Sequence, residues 1–169
     1  GANTAIFSVL NGVLLRPLPY PKSDDLVFLS ERDQQMKRLF IAWPNYLDWR
    51  AQNQVLESIG AYNRESYNLV GAGEAQRLLA GQVSADLFPT LRVNPVLGRL
   101  FHHDEDQPGG PLVVILSYGL WQRRFGGDPN ILGRQLRIDG QSLTVIGVMA
   151  PDFRFPFQSD LWWLNDRYF

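Results

Sequence analysis

The sequence predicts an α+β domain built from mixed and antiparallel sheets with short helices, and three observations predict it. First, Gln135–Ile138 and Leu143–Met149 place apolar residues at alternating positions around Asp139-Gly140, a pair that tolerates the positive φ angles of a tight hairpin turn. Second, the valine-rich run beginning at Leu112 leads directly into a short helical stretch, Tyr118–Phe125, which Gly126-Gly127 stops. Third, the first half of the chain reads as strand, helix and then paired strands, the order of an α+β domain. At 169 residues the chain is long enough to bury a core, as one domain or as two small lobes.

Taken in order, Gly1–Leu15 carries no charged side chain and is dominated by Ala5, Ile6, Phe7, Val9, Leu10, Val13, Leu14 and Leu15. A membrane span needs roughly 20 apolar residues. The run therefore reads either as the end of a longer apolar helix or as an amphipathic core helix. With no basic stretch before it and no small-residue cleavage site after it, it does not read as a signal peptide. Pro17, Pro19 and Pro21 cannot continue a helix, because each ring lacks an N–H and biases its predecessor to extended backbone. Leu26–Ser30 is expected to be the first strand. Trp43–Arg50, with Pro44 in the first turn and apolar residues at helical spacing, is expected to be a helix ending near Asn53. Ser58–Asn68 and Ala75–Val83 read as strands joined by the Gly71-Ala72-Gly73-Glu74 turn. Ser117 is placed to cap the Tyr118–Phe125 helix, and Asp128-Pro129 to start the following turn.

Chemistry is sparse by comparison. The formal net charge is −1 with both signs dispersed, which offers no field for nucleic acid, and Arg123-Arg124 reads as a solvated helix face. Cysteine is absent, which excludes a thiol nucleophile and a disulfide framework. His102-His103-Asp104-Glu105-Asp106 has metal-ligand residue types. Its spacing provides no helical pair at i and i+4, no Asp-x-Asp-x-Asp-Gly loop and no third ligand cluster elsewhere. It is expected to be a solvated acidic loop. Ser117 lacks the first glycine of G-x-S-x-G and both histidines precede it, so a serine-hydrolase reading fails. The glycine pairs fit neither G-x-x-x-x-G-K-[ST] nor G-x-G-x-x-G between a strand and a helix, so no nucleotide site is expected. Trp43, Tyr46, Trp49, Trp121, Trp162 and Trp163 are candidates for an aromatic groove, with Trp49, Trp121 and Trp162 expected to be core. Phe153, Phe155 and Phe157 are expected in a partly exposed apolar loop.

An ordered set of motifs carries a family resemblance. Gly81-Gln82-Val83-Ser84-Ala85-Asp86-Leu87-Phe88 is followed by Leu97-Gly98-Arg99-Leu100-Phe101, the acidic run, Val113–Ser117, Phe125-Gly126-Gly127-Asp128-Pro129 and the Thr144–Pro151 strand end. In this order and spacing the chain resembles the periplasmic core domain of MacB-type ABC transporter permeases, of the FtsX-like/MacB group with acidobacterial-type members. The resemblance implies that residues 1–16 are the outer end of a first transmembrane helix. It implies a porter-like lobe beginning at 17–83, a smaller inserted β-rich lobe at 84–150, and a return segment at 151–169 toward a porter lobe completed elsewhere. It also implies a non-enzymatic domain that faces the periplasm from the bacterial inner membrane. No cofactor is expected in this part of the protein, with ATP bound and hydrolysed on a separate nucleotide-binding domain or ABC ATPase subunit. Further implied partners are a second permease copy in a homodimer and a periplasmic adaptor. Asp104, Glu105, Asp106, Phe153, Phe155 and Phe157 are the expected contact residues. The reading from another class is a secreted or anchored glycan- or peptide-binding module that uses the aromatic groove. A metal-dependent hydrolase using His102, His103 and Asp104 ranks last.

Overall fold

A computed structural model describes residues 20–29, 31–32, 38–39, 41–70, 74–155 and 158–164. After a 3-10 turn at Ser23–Asp25 come β1 (Glu31–Arg32), β2 (Arg38–Leu39), α1 (Trp43–Gln52), β3 (Tyr62–Val70), β4 (Gln76–Val83) and α2 (Leu87–Leu91). Then follow β5 (Pro95–Gly98), β6 (Val113–Leu116), α3 (Tyr118–Phe125), a 3-10 turn at Pro129–Ile131, β7 (Gln135–Ile138), β8 (Gln141–Met149) and β9 (Leu161–Leu164). The class is α+β, as the sequence predicts, with short helices around a mixed sheet.

Strands β1 and β2 pair with each other, and the other seven form one sheet in the order β5-β8-β6-β9-β4-β3-β7. Because β7 also pairs with β8, the order returns on itself and closes a ring. The β6–β8 and β4–β9 pairs are parallel and the rest antiparallel. The turn chemistry read from the sequence makes this closure possible. Asp139 (φ 44°) and Gly140 (φ 82°) both adopt positive φ, the geometry of a two-residue hairpin. Asp139 then docks the hairpin tip on β3, its carboxylate accepting from the Asn68 backbone N–H at 3.0 Å and side-chain amide at 3.2 Å.

All four residues of β6 are buried. Val114 and Leu116 enter one core with Leu161 and Trp163 of β9, while Val113 and Ile115 enter a second with Trp162. A strand flanked by neighbours on both edges and cores on both faces must be apolar throughout, which is why Val-Val-Ile-Leu shows no alternation. The first core is covered by Leu120 and Phe125 of α3. Leu87, Phe88 and Leu91 of α2 join the second core with Tyr20, Phe101 and Phe153. Helix α3 begins as the sequence predicts, with the Leu120 N–H donating to Ser117 Oγ at 3.1 Å, and ends at Gly126 (φ 63°).

Two readings change. Residues 26–29 form no strand, and Val27 and Phe28 are 64% and 62% exposed. An apolar run becomes a strand only where a partner edge meets it, and the pairing here begins at Glu31. Phe153, expected at the surface, is core at 6% exposure. The expected boundary at 83/84 falls within continuous pairing: β3 and β4 precede it, β5–β8 follow it, and β9 comes from the return segment. Residues 1–16, Pro17, Pro19, Gly71–Gly73 and Phe157 lie outside the described residues.

Gly81 lies close against its register partner Trp162 on β9. A Cβ at Gly81 would meet Trp162 Cδ1 at 2.5 Å and Nε1 at 3.0 Å. Gly81→Ala is therefore expected to destabilise by ~1–3 kcal/mol through overpacking, and Trp162→Ala by ~3–5 kcal/mol through cavity formation. Urea denaturation of both variants checks this, and a neutral Gly81→Ala would show that the indole has room to move.

Candidate functional site

The loop after β5 contains the acidic run, and its sequence explains its shape. Gly98 takes a positive φ of 75°, turning the chain out of β5. Phe101 then anchors the loop in the second core at 7% exposure. Between them, Arg99 reaches across the loop to Glu105. Its two terminal nitrogens lie 2.9 and 2.6 Å from the two Glu105 carboxylate oxygens, a bidentate clamp. The His102 N–H adds a third bond to Glu105 at 2.8 Å.

Glu105 is only 9% exposed, so the expectation of a solvated acidic run is corrected for this residue. Asp106 also turns inward, accepting the Ala85 N–H at 2.8 Å. Asp104 is the one carboxylate of the run that faces solvent. Burial pushes the Glu105 carboxyl up. The Arg99 hydrogen bonds, the His102 N–H and the Arg99 charge outweigh it, and Glu105 is held below the usual glutamate range. In Asp106 burial prevails, assisted by the nearby Asp86 charge and opposed by the Ala85 N–H, Arg50 and His103, so its carboxyl lies above the usual range.

A second polar group joins α1 to this loop. Arg50 Nε lies 3.0 Å from Asp86 Oδ2, and His103 Nε2 lies 3.3 Å from Asp86 Oδ1. His103 Nδ1 faces Arg50 Nη2 at 3.5 Å. Beneath them Tyr46, the buried residue of α1, has its phenol pushed above the usual tyrosine range mainly by burial. Sequence reasoning passed over Arg50, Asp86 and Arg99. The signal available for Arg99 was its place between a turn-forming glycine and an anchoring phenylalanine, six residues before a glutamate.

The structure does not bring the aromatic candidates into one groove. Trp162 and Trp163 are adjacent on β9, and period-2 alternation sends them to opposite cores. Trp43, Tyr46 and Trp49 belong to α1. Trp49 and Trp121, both expected in the core, are half-buried. Trp121 is on α3 and donates its indole N–H to the Asp128 carbonyl at 2.9 Å. Phe155 is half-buried, with ring contacts to Tyr62 at 5.0 Å and Tyr20 at 6.0 Å. His102 points to solvent and His103 to Asp86, and among the described residues no three His, Asp or Glu side chains converge on a metal-sized position. Ser117 is engaged as a helix cap. Among the described residues no helix is long and apolar enough to cross a membrane.

This geometry is that of a surface held in shape by charge.

A family model described as the MacB-like periplasmic core domain matches residues 1–168. No curated protein sequence matches the chain. Among solved structures, the chain resembles the periplasmic region of MacB from Actinobacillus actinomycetemcomitans, with 19% identity and a TM-score of 0.56, covering 69% of this chain and 51% of that one. It also resembles the extracellular domain of the noncanonic ABC-type transporter YknZ from Gram-positive bacteria, with 19% identity and a TM-score of 0.52, covering 62% of this chain and 52% of that one. The chain thus spans about half the length of each solved domain. At this identity the likeness to the solved structures shows the fold.

Arg99→Ala is expected to cost about 1 kcal/mol at neutral pH, less than the ~1.5–3 kcal/mol of a shielded hydrogen bond to a charged group, because Arg99 is itself half-exposed. The sign with pH follows from Glu105. A carboxyl held below its unfolded value stabilises the fold above that unfolded value, and the stabilisation is lost as pH falls through the folded one. Acidification through and below the ordinary glutamate range should therefore weaken the wild type more than Arg99→Ala. Urea midpoints for both proteins at pH 7 and pH 3.5 check this, and parallel losses would contradict the clamp.

Proposed function

We propose a function from one premise: the chain belongs to the MacB-like periplasmic core domain family. On this reading it is the extracytoplasmic domain of an ABC-type export permease of the bacterial inner membrane, facing the periplasm. The carrying observation is the family match, which extends over residues 1–168. The two solved relatives are domains of MacB and of an ABC-type transporter, which supports the same assignment.

The domain acts as a mechanical element and has no catalytic part. ATP is bound and hydrolysed on a separate ABC ATPase subunit or domain, and the resulting helix movement in the membrane is passed outward. A body that transmits such movement must resist internal deformation, since packed cores shift between discrete arrangements and do not bend continuously. The closed strand order with a core on each face supports this role. Two copies of the permease line the path, and a periplasmic adaptor completes it in some settings. In the same proposal the porter-like segment 17–83 and the inserted segment 84–150 act as one body, since strands from both belong to one sheet.

The absence of cysteine in this domain makes the test direct. Val55 is 90% exposed just beyond α1 and suits a single label. In intact cells expressing the full-length protein, Val55→Cys is expected to react with a membrane-impermeant maleimide. In the reconstituted protein with its ATPase partner, spin labels at Val55→Cys on the two copies are expected to change separation between ATP-bound and nucleotide-free states. Labelling only after lysis would overturn the location, and an unchanged separation would overturn the mechanical role.

A further inference from the structure

We propose that Asp139-Gly140 is a covalent modification site, at which Asp139 converts through a cyclic imide to isoaspartate, and that Asn68 restrains the conversion and so protects the closure of the sheet. This rests on the hairpin tip alone and stands independently of the transport reading.

The reacting atoms are neighbours in the chain. The Gly140 backbone nitrogen attacks Asp139 Cγ, and the new carbon–nitrogen bond closes a five-membered imide while the amide proton and a carboxyl hydroxyl leave together as water. Water then adds back. Opening at Cγ restores aspartate, whereas opening at the Asp139 backbone carbonyl leaves Gly140 attached through Cγ, with the α-carboxylate free. Nothing is oxidised or reduced, and solvent water is the one co-reactant.

The tip presents the nucleophile and restrains the electrophile. Gly140 has no Cβ to obstruct the approach of its own nitrogen, and both residues are exposed. Among the described residues the Gly140 N–H has no hydrogen-bond partner. Asp139, by contrast, is held on β3. Its Oδ1 accepts from the Asn68 backbone N–H at 3.0 Å and from the Asn68 side-chain amide at 3.2 Å, while its own N–H donates to the Asn68 carbonyl at 3.1 Å. Ring closure must bring Cγ within bonding distance of the Gly140 nitrogen, against bonds that keep the carboxylate on the neighbouring strand.

The consequence falls on the seam that closes the ring. Strands β3 and β7 share two register pairs, Leu69 with Ile138 and Val70 with Arg137, and the Asp139–Asn68 bonds extend them toward the hairpin tip. Isoaspartate routes the main chain through Cβ and Cγ, adding an atom to a two-residue turn that needs positive φ at both positions. It also removes the side-chain acceptor from Asn68. The β3–β7 seam therefore loosens, while β6 and β9, paired with other strands, keep their bonds.

The test is peptide-resolved mass spectrometry of the full-length protein after prolonged incubation at neutral pH, with electron-transfer dissociation of the tryptic peptide Ile138–Arg154 to distinguish isoaspartate from aspartate. That peptide also holds Asp152, exposed but followed by Phe153, as an internal comparison, and Asn11-Gly12 is read on a separate peptide. Isoaspartate is expected at 139 and not at 152, faster in the urea-unfolded chain than in the folded one. Folded Asn68→Ala should form it roughly two- to tenfold faster than wild type, the factor for one lost hydrogen bond. Asn68→Ser keeps a shorter donor and should fall between them, and protected β6 and β9 amides in hydrogen exchange show that each variant is folded. The separated isomer should exchange its β3 and β7 amides faster than the unmodified protein. The proposal is overturned by an unfolded chain without isoaspartate at 139, by equal rates in wild type and both Asn68 variants, or by an isomer whose β3 and β7 amides stay fully protected.

Discussion

The sheet depends on one constraint: β6 and β9 are buried on both faces at once. Val114, Leu116, Leu161 and Trp163 fill one core, and Val113, Ile115 and Trp162 the other. Neither core can be repacked without disturbing the strand pair that forms a wall of both. Trp162 makes this concrete, because its indole lies over Gly81 of the neighbouring strand and meets Phe88 and Phe153 at 5.9 and 5.2 Å between ring centroids. A glycine is required at 81 for the reason a tryptophan is tolerated at 162: one side chain occupies the space of two.

From that wall the surface features follow outward. Strand β4 delivers the chain into Ser84, whose hydroxyl accepts the Ala61 N–H at 2.9 Å, and then into Asp86 at the start of α2. Strand β5 delivers it into the clamped loop. The polar cluster of α1, α2 and the loop therefore stands on elements fixed by the sheet.

Much of the fold was legible in the sequence because it is written locally. Asp139-Gly140 gives a hairpin through backbone preference alone, and Ser117 and Gly126 fix the ends of α3 in the same way. The buried Val113–Leu116 strand followed from its unbroken apolar run. The strand expected at 26–30 failed because strand formation needs a partner edge, which no local pattern reveals. Phe153 was misplaced for a related reason: a short Phe-rich loop looks like a surface patch until a core is found beneath it. The site was less legible still. Acidic residues 104–106 look alike in sequence, and only the fold separates Asp104 in solvent from Glu105 under Arg99 and Asp106 on Ala85. Family motifs marked the region without explaining it. In physical terms, Leu-Gly-Arg-x-Phe is a turn, a clamp and an anchor.

The central claim is that segments on both sides of residue 84 form one cooperative sheet around β6 and β9. Native-state hydrogen exchange tests it most directly, since strands that share a cooperative unit open together at the global unfolding free energy. The account predicts that amides of β4, β6, β8 and β9 exchange with a common free energy and a common denaturant dependence. If β3 and β4 instead open at a distinctly lower free energy while β6–β8 stay protected, the two segments are separate units and the shared wall is not what holds them.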